Sequence, residues 1–234
     1  MKARLRFSKL GKVRWTSHRD VARMWERALR RAGLPVARTG GFTPRPQMSF
    51  GLALPTGCES IAEYLDLGFE YPVRVDELPG VLSPLLPEGV DVLVAAELAG
   101  DMGSLQQEVT SCTWEIQVPG VCPSDLRAVL EGVLATAELP VRRERKGREV
   151  EDDLRPSLIS LNSEESVEEG SLLVAETATN PRGVRPSELA KALGLSLGRA
   201  CRTSQWIEHG AIRREPLALP VAVVMGEPVS GRAS

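Results

Sequence analysis

Four groups of residues have types and spacings that could do chemistry. Arg19, Arg23, Arg27 and Arg31 recur at every fourth position, with Arg30 beside them. On a helix that spacing gathers the guanidiniums into one stripe. A guanidinium presents a planar fork of donors that suits phosphate. Arg14, Ser17 and His18 stand just before the stripe. An imidazole can act as general acid or base at a 2′-hydroxyl, contact a phosphate or base, or order the turn at a helix start. The third group is Arg38, Gly41, Phe42 and Arg45, in the run T-G-G-F-T-P-R-P. Glycine lets a backbone approach a ligand closely, and proline holds the loop extended. Phe42 can stack on a base and Arg45 can pair with a phosphate. Phe42 reads equally well as core, and Phe50, on an expected strand, reads better as core. The fourth group, Arg142, Arg143, Arg145, Lys146 and Arg148, either extends a nucleic-acid track or pairs with the adjacent acids Glu149, Glu151, Asp152 and Asp153. Pairing is the better reading.

Charge separates along the chain. Up to Met48 there are thirteen Lys or Arg against two acids, whereas the 234-residue chain as a whole carries −2. A near-neutral chain with its positive charge at one end points to an anionic partner there, most simply nucleic acid.

The stripe requires a helix, and the residues around it supply one. Ser17 is placed to cap it, with Asp20 three residues on as a short capping box. Val21, Met24, Trp25, Ala28, Leu29 and Ala32 follow at spacings of three and four, which defines a buried face. Gly33 and Pro35 end it. Like charges at i,i+4 repel by a few tenths of a kcal/mol per pair, and Glu26 is the acid placed to offset this. A stripe kept at that cost suggests that a partner supplies the negative charge.

The run K-x-R-x-x-F-x-K-x-G-x-x-R-x-x-S-H-x-D, then R-A-x-R-R-A-G-L-P, then G-F-x-P-x-P-x-x-S-F-G-x-A-L-P-x-G-x-x-S-x-x-E-Y-x-D spans residues 2–66. It resembles the radical-SAM-linked protein family, with a weaker fit beyond in D-L-R-P-S-L-I-S-L and G-V-R-P-S-E-L. Members of that family occur fused to, or encoded beside, a B12-binding-type radical SAM protein. The resemblance implies such a partner and a setting in RNA biology, not a reaction. Arg19 departs from the family pattern, where an apolar residue before Asp is usual, and adds to the basic stripe.

The remaining elements form an ordered series. Residues 2–8 alternate as a strand, the helix follows, one strand interrupted by the loop is expected at 36–38 and 47–54, and further strands at 63–70 and 90–98, with a short helix within 73–86. This is the β-α-β-β-α-β order of a ferredoxin-like unit. The order recurs with a strand at 110–118, a helix from Ser124, a charged strand at 141–150 turning near Lys146, and a segment at 155–161. An acidic loop at 164–170, a strand at 171–177, a helix from Pro186 and a short helix at 196–205 complete it, with a final strand or turn at 206–214. The fold class expected is therefore α+β, with two tandem ferredoxin-like domains at residues 1–100 and 105–218 and a flexible tail at 219–234. Paired units of this kind resemble the RAMP-type RNA proteins in architecture.

Several functions are excluded. No P-loop, dinucleotide-binding G-x-G-x-x-G or nucleophile-elbow G-x-S-x-G is present. Cys58, Cys112, Cys122 and Cys201 are scattered without C-x-x-C spacing, so zinc or iron–sulfur ligation is not expected, no metal or cofactor is assigned, and any radical chemistry belongs to the partner. The acidic clusters at 149–153 and 164–169 read as solvated loops rather than Mg²⁺ sites. No apolar run is long enough to span a membrane, and no secretory signal is visible, so the expected setting is cytoplasmic. His209 reads as a surface residue. Three functions remain open: an RNA-binding module that presents tRNA or rRNA to a radical SAM enzyme, a metal-independent ribonuclease or modifying enzyme using His18, and a protein adaptor that docks an acidic face of the radical SAM protein.

Overall fold

The computed structural model describes residues 1–40, 42–98, 103–145, 147–165 and 170–217, apart from the side chains at 144 and 145. Strand β1 (Lys2–Lys9) turns Ala3, Leu5 and Phe7 to one face and Arg4, Arg6 and Ser8 to the other, and both sets are buried. It lies between β3 (Glu59–Gly68) and β4 (Val92–Glu97), antiparallel to both. The three-residue β2 (Met48–Phe50) pairs with the far end of β3, Phe50 opposite Leu65.

Helix α1 (His18–Ala32) and the short α2 (Leu78–Leu82) cover the face that carries Phe7. Val21, Trp25, Ala28 and Leu29 of α1 are buried, and the Trp25 ring meets Phe7 edge-on at 5.0 Å. Fully burying a large apolar side chain contributes about 1.5–3 kcal/mol, so this contact fixes how the helix lies and therefore where its arginines point. The Ser17 hydroxyl accepts from the Asp20 amide at 3.3 Å and donates to the Asp20 carboxylate at 2.6 Å. The expected capping box is thus closed side chain to side chain. Gly33, at φ 64°, supplies the left-handed residue that ends the helix.

The second half repeats the plan. Strands β5 (Ser111–Val118), β8 (Leu158–Glu165), β9 (Ser171–Ala178) and β10 (Ala200–His209) are antiparallel in the order β10-β5-β9-β8, with α4 (Pro123–Leu134) and α5 (Pro186–Ala192) contributing to their core. A short α3 (Leu105–Glu108) precedes β5, and β11 (Ile212–Arg214) folds back on β10. Strands β6 (Pro140–Arg145) and β7 (Arg148–Asp153) form a separate hairpin. By chain order, each half of the main sheet reads fourth, first, third, second.

The halves share one sheet. The start of β3 pairs in parallel with β10, Arg202 opposite Ser60, giving a nine-stranded mixed sheet. The fold is mixed α+β with a large sheet and few helices. The expected helix at 196–205 is instead an irregular stretch at 196–199 followed by the front of β10. Its alternation was hidden because Arg202 and Gln205 are inward-facing polar residues and the register shifts between Arg202 and Ser204. The expected strand at 47–54 is confined to β2, because Leu52 and Leu54 leave the sheet to pack on the second half's core. Part of the expected acidic loop is the end of β8, while residues 166–169 and the tail at 219–234 lie outside the described residues. Among the described residues no helix is long and apolar enough to cross a membrane.

Candidate nucleic-acid interface

The outer face of α1 carries Arg19, Arg23, Arg27, Arg30 and Arg31, all exposed. Arg23 meets Asp20 loosely, at 3.7 Å. Among the described residues Arg19, Arg27, Arg30 and Arg31 make no ion pair. The Asp20 carboxyl is held below the usual carboxylate range, first by the Ser17 hydroxyl and then by Arg23 and Arg19. Arg30 and Arg31 sit in the last turn, where the helix dipole favours a cation. Arg19 has no such reason, since it lies in the first turn, where the dipole opposes it.

The loop after α1 forms a small arm. Thr39 N–H donates to the Arg45 carbonyl at 2.8 Å, Gln47 N–H to Ala37 at 2.7 Å, and Ala37 N–H to Gly68 at 2.8 Å, which ties the arm's base to β3. Arg38 and Arg45 are exposed on its two sides. Phe42 is fully exposed near the tip and is not part of the core. Gly41 lies outside the described residues. Phe50 packs inward against Phe7 at 6.4 Å.

The other end of α1 holds a feature that sequence reasoning passed over. Trp15 is 65% exposed, and the Arg14 guanidinium lies 5.3 Å from its ring centre. Arg14 also pairs with the buried Glu59 at 3.0 Å. Gly57, at φ 90°, lies against the Trp15 ring so closely that a Cβ there would come within 2.9 Å of it. The signal in the sequence was an aromatic residue that precedes the cap and so falls off the buried face of α1.

Ser17 and His18 are exposed beside Trp15. The His18 ring stands edge-on to Phe50 at 5.1 Å and makes no hydrogen bond among the described residues. It borders a cavity of about 20 Å³, together with Lys9 and Glu63, which is room for one water. The cavity is too small for a nucleotide, so His18 can meet a ligand only on its outer side. Lys9 is buried with its ammonium on the carbonyls of Thr16 at 2.9 Å and Arg14 at 3.4 Å. Burial lowers its pKa, and the Glu63 carboxylate opposes that shift.

Not all of the amino-terminal positive charge reaches the surface. Arg4 makes a two-point ion pair with Asp66 at 2.7 and 2.8 Å. Arg6 binds Glu215 at 2.9 Å and the carbonyls of Ile61 and Thr203. These arginines are structural, and the exposed basic surface of this region is reduced mainly to α1, its arm and Lys12.

The chain matches the model of a family described as an uncharacterized protein conserved in bacteria, DUF2344, over residues 2–186. It belongs to the DUF2344 family. The matched region holds all of α1, the arm and Trp15. No curated protein matches the chain.

Elsewhere in this DUF2344 chain many of the charged groups pair with one another, although Arg127, Arg148 and Arg214 are exposed and make no ion pair among the described residues. In the hairpin, Arg142 meets Glu151 loosely across the strands at 3.9 Å, and Asp152 binds both Arg143 and Arg182. Arg182 also binds Glu188 at 2.7 Å. His209 is exposed at the end of β10. All four cysteines are free thiols, and burial pushes Cys201 up to about 12 and raises Cys58 and Cys112. Among the described residues no three His, Cys, Asp or Glu side chains gather where a metal ion could sit.

Proposed function

We propose that this chain is a non-enzymatic RNA-binding module that presents tRNA or rRNA to a radical SAM partner enzyme. The observation that carries the reading is the exposed arginine stripe of α1, most of it without an acidic partner, in a chain whose net charge is −2. Guanidiniums left unpaired on one rigid helix suit a polyanion, and the arm adds Arg38, Arg45 and an exposed aromatic ring. The two halves are taken as tandem ferredoxin-like units joined edge to edge, a reading supported by their common strand order. The radical SAM partner rests on the resemblance of residues 2–66 to the radical-SAM-linked family.

The test is to recover RNA from host cells on purified protein and sequence it, beside an Arg23→Glu/Arg27→Glu variant. The expected outcome is one RNA class enriched by the wild type and lost by the variant. RNA turnover without added metal that His18→Ala abolishes, with binding intact, would replace the module with a ribonuclease. A radical SAM complex that forms without RNA and is lost in the variant would replace it with a protein adaptor.

A further inference from the structure

The chain has ten aromatic residues (four Phe, four Trp and two Tyr). Those exposed to solvent are Trp15, Phe42 and Tyr71. Each is connected to one end of α1 through the chain or its hydrogen bonds. Trp15 precedes the helix cap by two residues. Phe42 stands near the tip of the arm that leaves the helix's far end. Tyr71 follows Glu70, whose amide binds the Pro35 carbonyl just past that end. The helix between them is fifteen residues long, or roughly 22 Å. Single exposed aromatic residues need no explanation, but the placement of all three exposed Phe, Trp and Tyr rings beyond the two ends of one arginine-lined helix does.

We propose that the ligand of this face is single-stranded RNA, laid along α1 with its backbone on the arginine stripe and unpaired bases stacked on Trp15 at one end and on Phe42 and Tyr71 at the other. The inference rests on the RNA-binding reading above and adds the form of the RNA and its two stacking stations. Arginines four residues apart recur every ~6 Å along the helix, a repeat comparable to the step between phosphates of an extended strand. Aromatic faces accept any unpaired base, whereas the bases of a duplex are stacked on one another and offer none. Trp15 is held in place while 65% of it stays open: Gly57 leaves room for the ring, and Glu59 holds Arg14 over part of it.

The experiment uses the full chain and two labelled probes at low salt, a 12-nucleotide single-stranded RNA of mixed sequence and a blunt duplex of the same sequence. Binding is read by fluorescence anisotropy, and by the change in tryptophan fluorescence. Wild type is expected to prefer the single strand by at least tenfold. Trp15→Ala and Phe42→Ala should each weaken it roughly tenfold and leave duplex binding and the salt dependence unchanged. Trp15→Phe should restore most of the loss, which separates stacking from any disturbance of the turn. Equal binding of both probes, with the alanine variants unchanged, would overturn the single-strand proposal and leave RNA binding standing. Failure to bind either probe would overturn both and point to a protein surface as the partner of α1.

Discussion

Two regions of this molecule are rich in cationic side chains and use them in opposite ways. At the seam where β3 meets β10, Arg202 is buried against Glu63 at 2.6 Å, with Lys9 and Arg6 close by, each held by carboxylate or carbonyl oxygens. On α1, five guanidiniums stand in solvent and one of them, Arg23, has a loose partner. The hairpin β6–β7 lies between these extremes: Asp152 holds Arg143, Arg142 meets Glu151 loosely, and Arg148 is exposed with no ion pair among the described residues. A count of basic residues would rate α1 and the hairpin alike, at five each. The regions differ in where the acids fall: opposite Arg202 and Arg6 in the seam, opposite some of the cations in the hairpin, and almost absent from the outer face of α1. Charge that the fold neutralises is structural, and charge it leaves open is available to a partner.

Breaking the seam gives the largest effect. Glu63→Ala would leave Arg202 buried without its counter-ion, and removal of one member of a buried pair costs about 3–5 kcal/mol. Urea denaturation should show that loss, while Arg27→Ala on α1 should move stability by less than about 0.5 kcal/mol. Comparable losses from both changes would erase the distinction.

A smaller change converts the hairpin toward the state of α1. Asp152→Asn removes the carboxylate shared by Arg143 and Arg182. At low salt it should raise RNA affinity a few-fold, by roughly one added phosphate contact. A fall in affinity would mean that the paired hairpin is itself part of the binding surface.

The smallest effect concerns pH. The Asp20 carboxyl has its pKa lowered in the folded state by Ser17 and the nearby arginines. A lowered carboxyl pKa contributes stability that is present above its unfolded value, ~3.9, and lost as pH falls through the folded value. Asp20→Asn should therefore match wild type in thermal stability at the acid end of the titration and fall slightly below it above pH ~4. A difference that grows toward lower pH would contradict this sign.

The sequence was informative where structure is local. The stripe, the buried face and both caps of α1 follow from residues within seventeen positions of one another, and the structure places them as their spacing requires. The succession of elements along the first half was likewise readable from alternation and turns, except that residues 36–38 make only isolated bridges. What stayed hidden depends on distant partners. Arg4, Arg6 and Arg14 read as surface charge because their carboxylates lie 62, 209 and 45 residues away. Strand β10 read as a helix because two of its inward positions hold Arg202 and Gln205, whose partners, Glu63 and the Ala62 carbonyl, come from the other half. Trp15 escaped notice because no helix or strand period reaches it, and its exposure follows from Gly57 and Glu59, more than forty positions on.

The central claim is that the open guanidiniums of α1 hold RNA, and the most direct measurement is affinity for one single-stranded RNA at several salt concentrations. Each phosphate neutralised on a single strand contributes about −0.7 to the slope of log K against log salt. Four to five contacts along α1 predict a slope near −3 for wild type, brought closer to zero by about one unit or more in Arg23→Glu/Arg27→Glu. A slope near zero for wild type, or an unchanged slope in the variant, would contradict the account.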